Sequence, residues 1–312
     1  MTASSPTPPR LALLPAAALL ALLSACGGGG DTASDTTVSA ETTEAVSANS
    51  LSMTEDSANA ASATLATAQA VVAGVQASQT HACAGGGTAV YSVSGGSLGG
   101  ATNGQLDAGE VYSLQFHSCV GSAGAASIDG TMTLEVTAAS AGAVTVQTST
   151  QGVVVALPRR TLTLNGSSTL AQTVVTNGAT SVTTNRWTSP QITLTSLRNA
   201  RTSSLTLSGV DFTRSVTTTG GVVSGSAGQG TLTLAATLPN GSWTADIATQ
   251  GTVSYDASGV PTAGSWQITL PHNLIGLQVG AGTATVTVDH GPDGTIDHTY
   301  TFSVSTLSSQ AV

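Results

Sequence analysis

From Cys83 onward the chain alternates apolar and polar residues with a period of two. Met132-Thr-Leu-Glu-Val136, Leu162-Thr-Leu164, Ile192-Thr-Leu194, Leu205-Thr-Leu207, Leu232-Thr-Leu234, Trp266-Gln-Ile-Thr-Leu270 and Ala284-Thr-Val-Thr-Val288 set an apolar side chain on one face and, mostly, a threonine on the other. Each is a strand with one dry and one wet face. Asp129-Gly130, Asn165-Gly166, Asn177-Gly178, Asn240-Gly241 and Asp293-Gly294 punctuate these stretches. Such dipeptides supply the positive φ of tight hairpins and are read here as turns. No helical period intervenes between strands, so βαβ units are absent and the sheet is antiparallel.

The N-terminal part reads differently. Behind Ser52-Met-Thr-Glu55, which has the form of a capping box, Ala58, Ala61, Leu65, Ala68, Val72 and Val75 recur at steps of three and four. That pattern predicts one amphipathic helix within residues 51–80, its alanine face close against a partner surface. Residues 26–50 are Gly, Thr, Ser, Ala and acids, with little apolar surface to bury, and predict a disordered tether. Residues 81–312 form the β domain. A faint repeat runs through it: Leu162-Thr-Leu-Asn-Gly166 returns as Leu205-Thr-Leu-Ser-Gly209, and Ile128-Asp-Gly130 resembles a third copy. The expected fold is mainly β, a large curved antiparallel sheet like a half-open barrel with the helix against it. A β-sandwich is the alternative, and a β-helix comes third because its repeats would be more regular.

Composition narrows the function classes. Of 312 residues only 7% are charged, and the net charge is −9. The sequence carries 51 Thr and 39 Ser, and all seven of its basic residues are Arg. The surface is therefore wetted by hydroxyls and amides. Without a basic stripe there is nothing to neutralise phosphates, so nucleic acid is excluded as a partner. Without lysine, P-loop and Schiff-base chemistry are excluded too.

Residues 1–25 form a processing signal: Arg10 is the sole charge, and the apolar run Leu11–Leu23 is too short to span a bilayer. It ends in Leu23-Ser24-Ala25-Cys26, followed by Gly27–Gly30. Here the chain resembles bacterial lipoproteins, whose lipobox ends in a cysteine that is acylated and becomes the mature N-terminus. The resemblance implies lipidation of Cys26, anchorage by several acyl chains, and outer-membrane sorting because Gly27 rather than Asp follows. The membrane is then a partner through the anchor. Which face of the outer membrane the protein occupies is left open.

Setting Cys26 aside leaves Cys83 and Cys119, an even pair in an oxidising compartment, read as a disulfide. Two free thiols or half a metal site are the alternatives. Cys83-Ala-Gly-Gly-Gly, Asn103-Gly-Gln-Leu-Asp-Ala-Gly-Glu110 and Phe116-His-Ser-Cys119 form one group of short motifs. Pro261-Thr-Ala-Gly264, Val288-Asp289 and Asp293-Gly-Thr-Ile-Asp297 form another. Together they resemble β-rich lipoproteins of proteobacteria over most of residues 81–307, a group that implies no activity and no site residues.

Two segments half-match a calcium loop. Asn103, Asp107 and Glu110 fit the later positions of the pattern, but Gly99 and Ala101 stand where earlier ligands belong. Asp289, Asp293 and Asp297 fit positions one, five and nine, with Gly291 and Tyr300 in place of further acids. For both, an ordinary Asn/Asp-Gly turn is the stronger reading, and no resident cofactor is expected beyond this weak calcium candidacy. Zinc through His290 and His298 lacks further ligands. Gly95-Gly-Ser97-Leu-Gly99 matches the hydrolase GxSxG without the strand–turn–helix it needs. His117 and Asp129 are the remaining triad material, so an enzyme is not supported. Trp187, Trp243 and Trp266 are read as core plugs, with a sugar-stacking or lipid-facing surface as the competing role. Arg159, Arg160, Arg198 and Arg201 are read as solvated.

The functional expectation is a non-catalytic, lipid-anchored binding module whose curved sheet and helix hold an apolar or lipid ligand. The alternative is a structural or interaction module of the envelope, contacting glycan or an envelope protein through its hydroxyl surface.

Overall fold

The computed structural model describes residues 38–73, 80–96, 103–120, 127–157, 160–198, 201–238, 241–256 and 260–311. Residues 1–37, with the expected processing signal and Cys26, lie outside them. Helix α1 (Ala40–Ala73) is followed by β1 (Thr80–Ala82), β2 (Thr88–Gly95), β3 (Glu110–Val120), β4 (Ser127–Ser140), β5 (Ala143–Ala156) and β6 (Thr161–Asn177). Then come β7 (Thr180–Arg198), β8 (Arg201–Thr219), β9 (Val222–Leu238), β10 (Gly241–Thr249), β11 (Val253–Tyr255) and β12 (Pro261–Leu270). Strands β13 (Asn273–Gly280), β14 (Thr283–His290) and β15 (His298–Ser303) lead into a short helix, α2 (Val304–Gln310). All the strands form one antiparallel sheet in which chain neighbours pair in order, β11 alone standing off the path between β9 and β12. Among the described residues the sheet does not close into a barrel.

The expected mainly-β, single-curved-sheet architecture is therefore present. Apolar alternates point to the concave side: in β4, Ile128, Met132, Leu134 and Val136 are buried while Thr131, Thr133 and Glu135 are exposed. Helix α1 lies in that concavity and touches β3, β6, β7, β8 and β12, strands from well-separated parts of the path. A sheet reaching one helix from so many positions must wrap around it. At 1.5 Å per residue α1 is about 50 Å long, comparable with the longest strands at about 60 Å.

Two expectations are corrected at the N-terminal end. The helix starts at Ala40, so residues 40–50 are not tether. Its cap is Ser39, whose Oγ accepts from the Thr42 N–H at 3.2 Å, and Val38 N–H donates to Asn273 Oδ1 on β13. The helix runs straight through the supposed capping box at Ser52. Nor is its first half amphipathic: every residue from Val46 to Ser52 is at most 1% exposed. Enclosure by the sheet, rather than helix propensity, orders this weakly apolar segment. Helix α2, which the periodicity did not predict, packs on α1 and buries Leu307 and Ala311. Its cap is Ser303, whose Oγ accepts from Thr306 N–H at 3.0 Å.

The dipeptides expected to be turns divide into two kinds. Asn177-Gly178 is a hairpin turn between β6 and β7, with Gly178 at φ 60°. Asp129-Gly130 and Asn165-Gly166, by contrast, lie inside strands at breaks of register, as does Ser208-Gly209. These are β-bulges, which bend a strand and increase its twist. Gly130 and Gly166 have φ of 104° and 138°, and a Cβ there would meet Gly152 O at 3.0 Å and Gln191 O at 2.9 Å, respectively. The faint repeat thus marks a register break on β4, β6 and β8, every second strand of the sheet; the extra residue lies on the partner strand at the first two and on β8 itself at the third. It is one source of the curvature.

Candidate functional site

Most residues singled out for chemistry turn out to support structure. Cys83 and Cys119 are disulfide-bonded, with Cα atoms 5.4 Å apart, and join the start of the sheet to the end of β3. In the loop before β3, Asn103 Oδ1 accepts from Gln105 N–H, and Asn103 Nδ2 donates to Asp107 Oδ2 at 2.7 Å. Glu110 is buried, and its Oε2 accepts from Asp107 N–H at 2.7 Å and from the Tyr112 hydroxyl at 2.6 Å. These carboxylates are thereby taken up in pinning a turn.

The C-terminal loop behaves likewise. Asp289 Oδ1 and Oδ2 accept from the Asp293 and Gly294 N–H groups at 3.1 and 2.9 Å. Asp297 Oδ2 accepts from His290 N–H at 2.7 Å, and Asp293 Oδ1 from Thr295 N–H at 2.8 Å. That last backbone hydrogen bond, with the Thr295 hydroxyl second, holds the Asp293 carboxyl below its ordinary range. Among the described residues no group of three or more His, Cys, Asp or Glu is placed to hold a metal ion. His290 Nδ1 lies 3.3 Å from Asn273 Oδ1, while the His298 ring stacks on Tyr300.

Of the triad material, Asp129 is likewise engaged in holding backbone. Asp129 Oδ1 accepts from Ser118 N–H at 2.6 Å and from the Ser118 hydroxyl, bracing the bulge in β3. His117 is exposed on β3, and Ser97 lies outside the described residues. Trp187 and Trp266 are buried in the core at 3% and 1% exposure, and Trp243 packs against it from a half-buried position. Arg160 corrects the expectation of a solvated side chain, being 3% exposed. Arg159 lies outside the described residues; so do the side chains of Arg198 and Arg201.

What remains is the convex face, and there the register builds an array. Thr163 of β6 pairs with Thr195 of β7, which pairs with Ser204 of β8, then Thr237 of β9 and Ser242 of β10. Two residues along, Asn165, Thr193 and Thr206 form the next row. Strand spacing places these side chains about 4.8 Å apart across the sheet and about 7 Å apart along it. Threonine suits the position because its β-branch favours extended backbone while its hydroxyl stays in water. Charge is sparse here: Arg186 and Asp211 neutralise each other, and Asp246 accepts from the Thr233 hydroxyl at 2.6 Å.

A second outward feature lies on β12–β14. Gly276 has no side chain, and around it opens a groove of about 350 Å³ lined by Gln267, Gln278, Leu274, Thr287 and Ile296 among others. Sequence reading missed it, since a glycine within Leu-Ile-Gly-Leu looks like an irregular apolar strand until its neighbours are known.

Among the described residues no helix is long and apolar enough to cross a membrane. Neither protein-family models, nor curated proteins, nor solved structures give a match to this chain.

Proposed function

We propose that this chain is a non-catalytic contact module of the cell envelope, held at the outer membrane by a lipid on Cys26, whose convex hydroxyl face engages glycan. The observation that carries the reading is the regular Thr/Ser array on β6–β10, polar, nearly uncharged and outward-facing. A polysaccharide offers hydroxyls at short, repeated intervals, and threonine hydroxyls both donate and accept. Side by side on neighbouring strands, such groups suit an extended, weak, multivalent contact. The concave side supports this choice, because α1 fills the place where the curved sheet would hold a guest.

Co-sedimentation of the full lipidated chain in detergent with amylose, cellulose or chitin particles tests it. At least one particle retains the protein, and Thr195→Arg/Thr206→Arg lowers retention about tenfold. Absence of retention on all three overturns the glycan reading.

A second reading, the carrier of an apolar ligand, keeps one observation in its favour. The hydroxyls of Thr43, Ser47 and Ser52 on α1 are buried without a hydrogen-bond partner. Burying such groups costs about 1–3 kcal/mol each, so α1 is an expensive filling and an acyl chain displacing it would recover part of that cost. Native mass spectrometry of the chain released from the membrane distinguishes the two, since a carrier retains a lipid-sized mass beyond its own anchor.

A further inference from the structure

We propose that the Gly276 groove is a subsite for a single neutral pyranose unit, an inference that rests on the glycan reading and gives it a defined site. Gly276 sits mid-strand in β13, paired with Gln267 of β12 and Thr287 of β14. Its neighbours Ile275 and Leu277 are buried in the core, so position 276 faces outward. The backbone does not require glycine there, because Gly276 is not among the residues with positive φ. Glycine within a strand weakens it, and where φ is ordinary the gain is the space left for a close approach. A Cβ at 276 would stand 2.7 Å from Thr287 Oγ1 and begin to fill the floor.

The walls and rim have matching chemistry. The groove, at about 350 Å³, is at the small end of the range for small-molecule sites. Ile296 is 52% exposed and stands at its side on the loop that Asp289 and Asp297 tie down. With Leu274 it offers aliphatic surface to the C–H face of a sugar ring. Gln250 Nε2 donates to Gln267 Oε1 at 3.1 Å, fixing one carboxamide on the rim, and Gln278 and Thr285 add further donors and acceptors. Carboxamides and hydroxyls pair with the adjacent hydroxyls of a sugar, each of which donates and accepts. Among the described residues no Arg or His lines the groove and Asp289 does, which disfavours uronic acids and phosphorylated sugars. The Asp-Gly motif of the C-terminal loop thus acquires a role: it builds a wall.

Saturation-transfer NMR of the full chain with maltotetraose, cellotetraose and chitotetraose tests the subsite, with tetragalacturonate as the anionic control. At least one neutral tetramer receives transfer, and the exposed substitutions Gln267→Ala and Ile296→Ser each raise its Kd tenfold or more. Gly276→Ala does the same where it folds; the two exposed variants carry the test where it does not. Undiminished binding in both exposed variants, or equal transfer to tetragalacturonate, overturns the proposal. Absence of transfer to all neutral tetramers, with particle retention intact, overturns the subsite and leaves the hydroxyl face as the glycan contact. Loss of both overturns the two readings together.

Discussion

Gln69 on α1 donates through Nε2 to Gln172 Oε1 on β6 at 3.1 Å, and Gln172 passes the chain on by donating to Asn185 Oδ1 on β7 at 2.9 Å. A helix residue is thus bonded to a strand residue 103 positions away, at one end of the concavity. At the other end Val38 reaches Asn273, so α1 is fastened at both ends and belongs to the folded unit. Leu51 and Leu65 are the fully buried leucines of its described side chains. Leu51→Ala lowers unfolding free energy by about 2–5 kcal/mol, read by denaturant titration with far-UV circular dichroism. Gln172→Ala costs about 1 kcal/mol. A Leu51→Ala variant as stable as the parent would mean that α1 docks independently of the sheet.

The Cys83–Cys119 bond closes a loop with a sequence separation of 36. On the chain-entropy account this stabilises by about 4 kcal/mol, a large share of a typical total of about 5–15 kcal/mol. Cys83→Ala/Cys119→Ala therefore brings the unfolding midpoint down sharply. The parent in reducing agent follows it, and in mass spectrometry under non-reducing conditions the parent is lighter by the two thiol hydrogens.

The strands were legible because their apolar alternates all face one concavity, and Leu162, Leu164, Leu205 and Leu207 lie where period two puts them. The bulges were not, because Asn165-Gly166 and Asn177-Gly178 have the same local chemistry. Positive φ is needed in a bulge and in a turn alike; only the partner strand, running past Gly166 to pair further along, separates them. The start of α1 was hidden for a different reason. Ser39 is a good cap, but Val46, Ala48 and Leu51 make too thin an apolar pattern until the rest of the fold buries them. The Gly276 groove needs three strands and a loop to exist, so no stretch of sequence carries it. The disulfide was legible because setting the lipobox cysteine aside leaves Cys83 and Cys119 as an even pair in an expected oxidising compartment.

Arg186 and Asp211 form a two-pronged pair across β7 and β8, with Nε–Oδ1 at 2.8 Å and Nη2–Oδ2 at 2.7 Å. The guanidinium's hydrogen bonds hold the Asp211 carboxyl below its ordinary range, with burial opposing and the charge attraction assisting. A carboxyl lowered in the folded state contributes stability that is complete above its unfolded value of about 4 and is lost as pH falls through the folded value. Both side chains are about half exposed, at 58% and 46%, so solvent screens the pair and its weight is small. Asp211→Asn lowers Tm at neutral pH by at most about 2 °C. That difference vanishes in acid and shrinks in molar salt; a difference that persists below pH 3 would show that packing, rather than charge, is involved.

The Asp289 loop sets the metal question against the structural one. Asp289 is 4% exposed and both of its carboxylate oxygens already accept backbone N–H groups. A calcium ion needs six to eight oxygens, and it would compete with these amides for the same lone pairs. Asp289→Ala leaves two loop amides without their acceptor and costs about 1–3 kcal/mol, with or without calcium. Titration calorimetry of the parent with millimolar calcium gives no binding heat, and chelator leaves its Tm unchanged. The same substitution also weakens neutral-sugar binding, because the loop that carries Ile296 loses its anchor while Gln267 and Gly276 stay in place. A calcium-dependent rise in Tm that Asp289→Ala abolishes would reverse the assignment, making the carboxylates ligands first and loop anchors second.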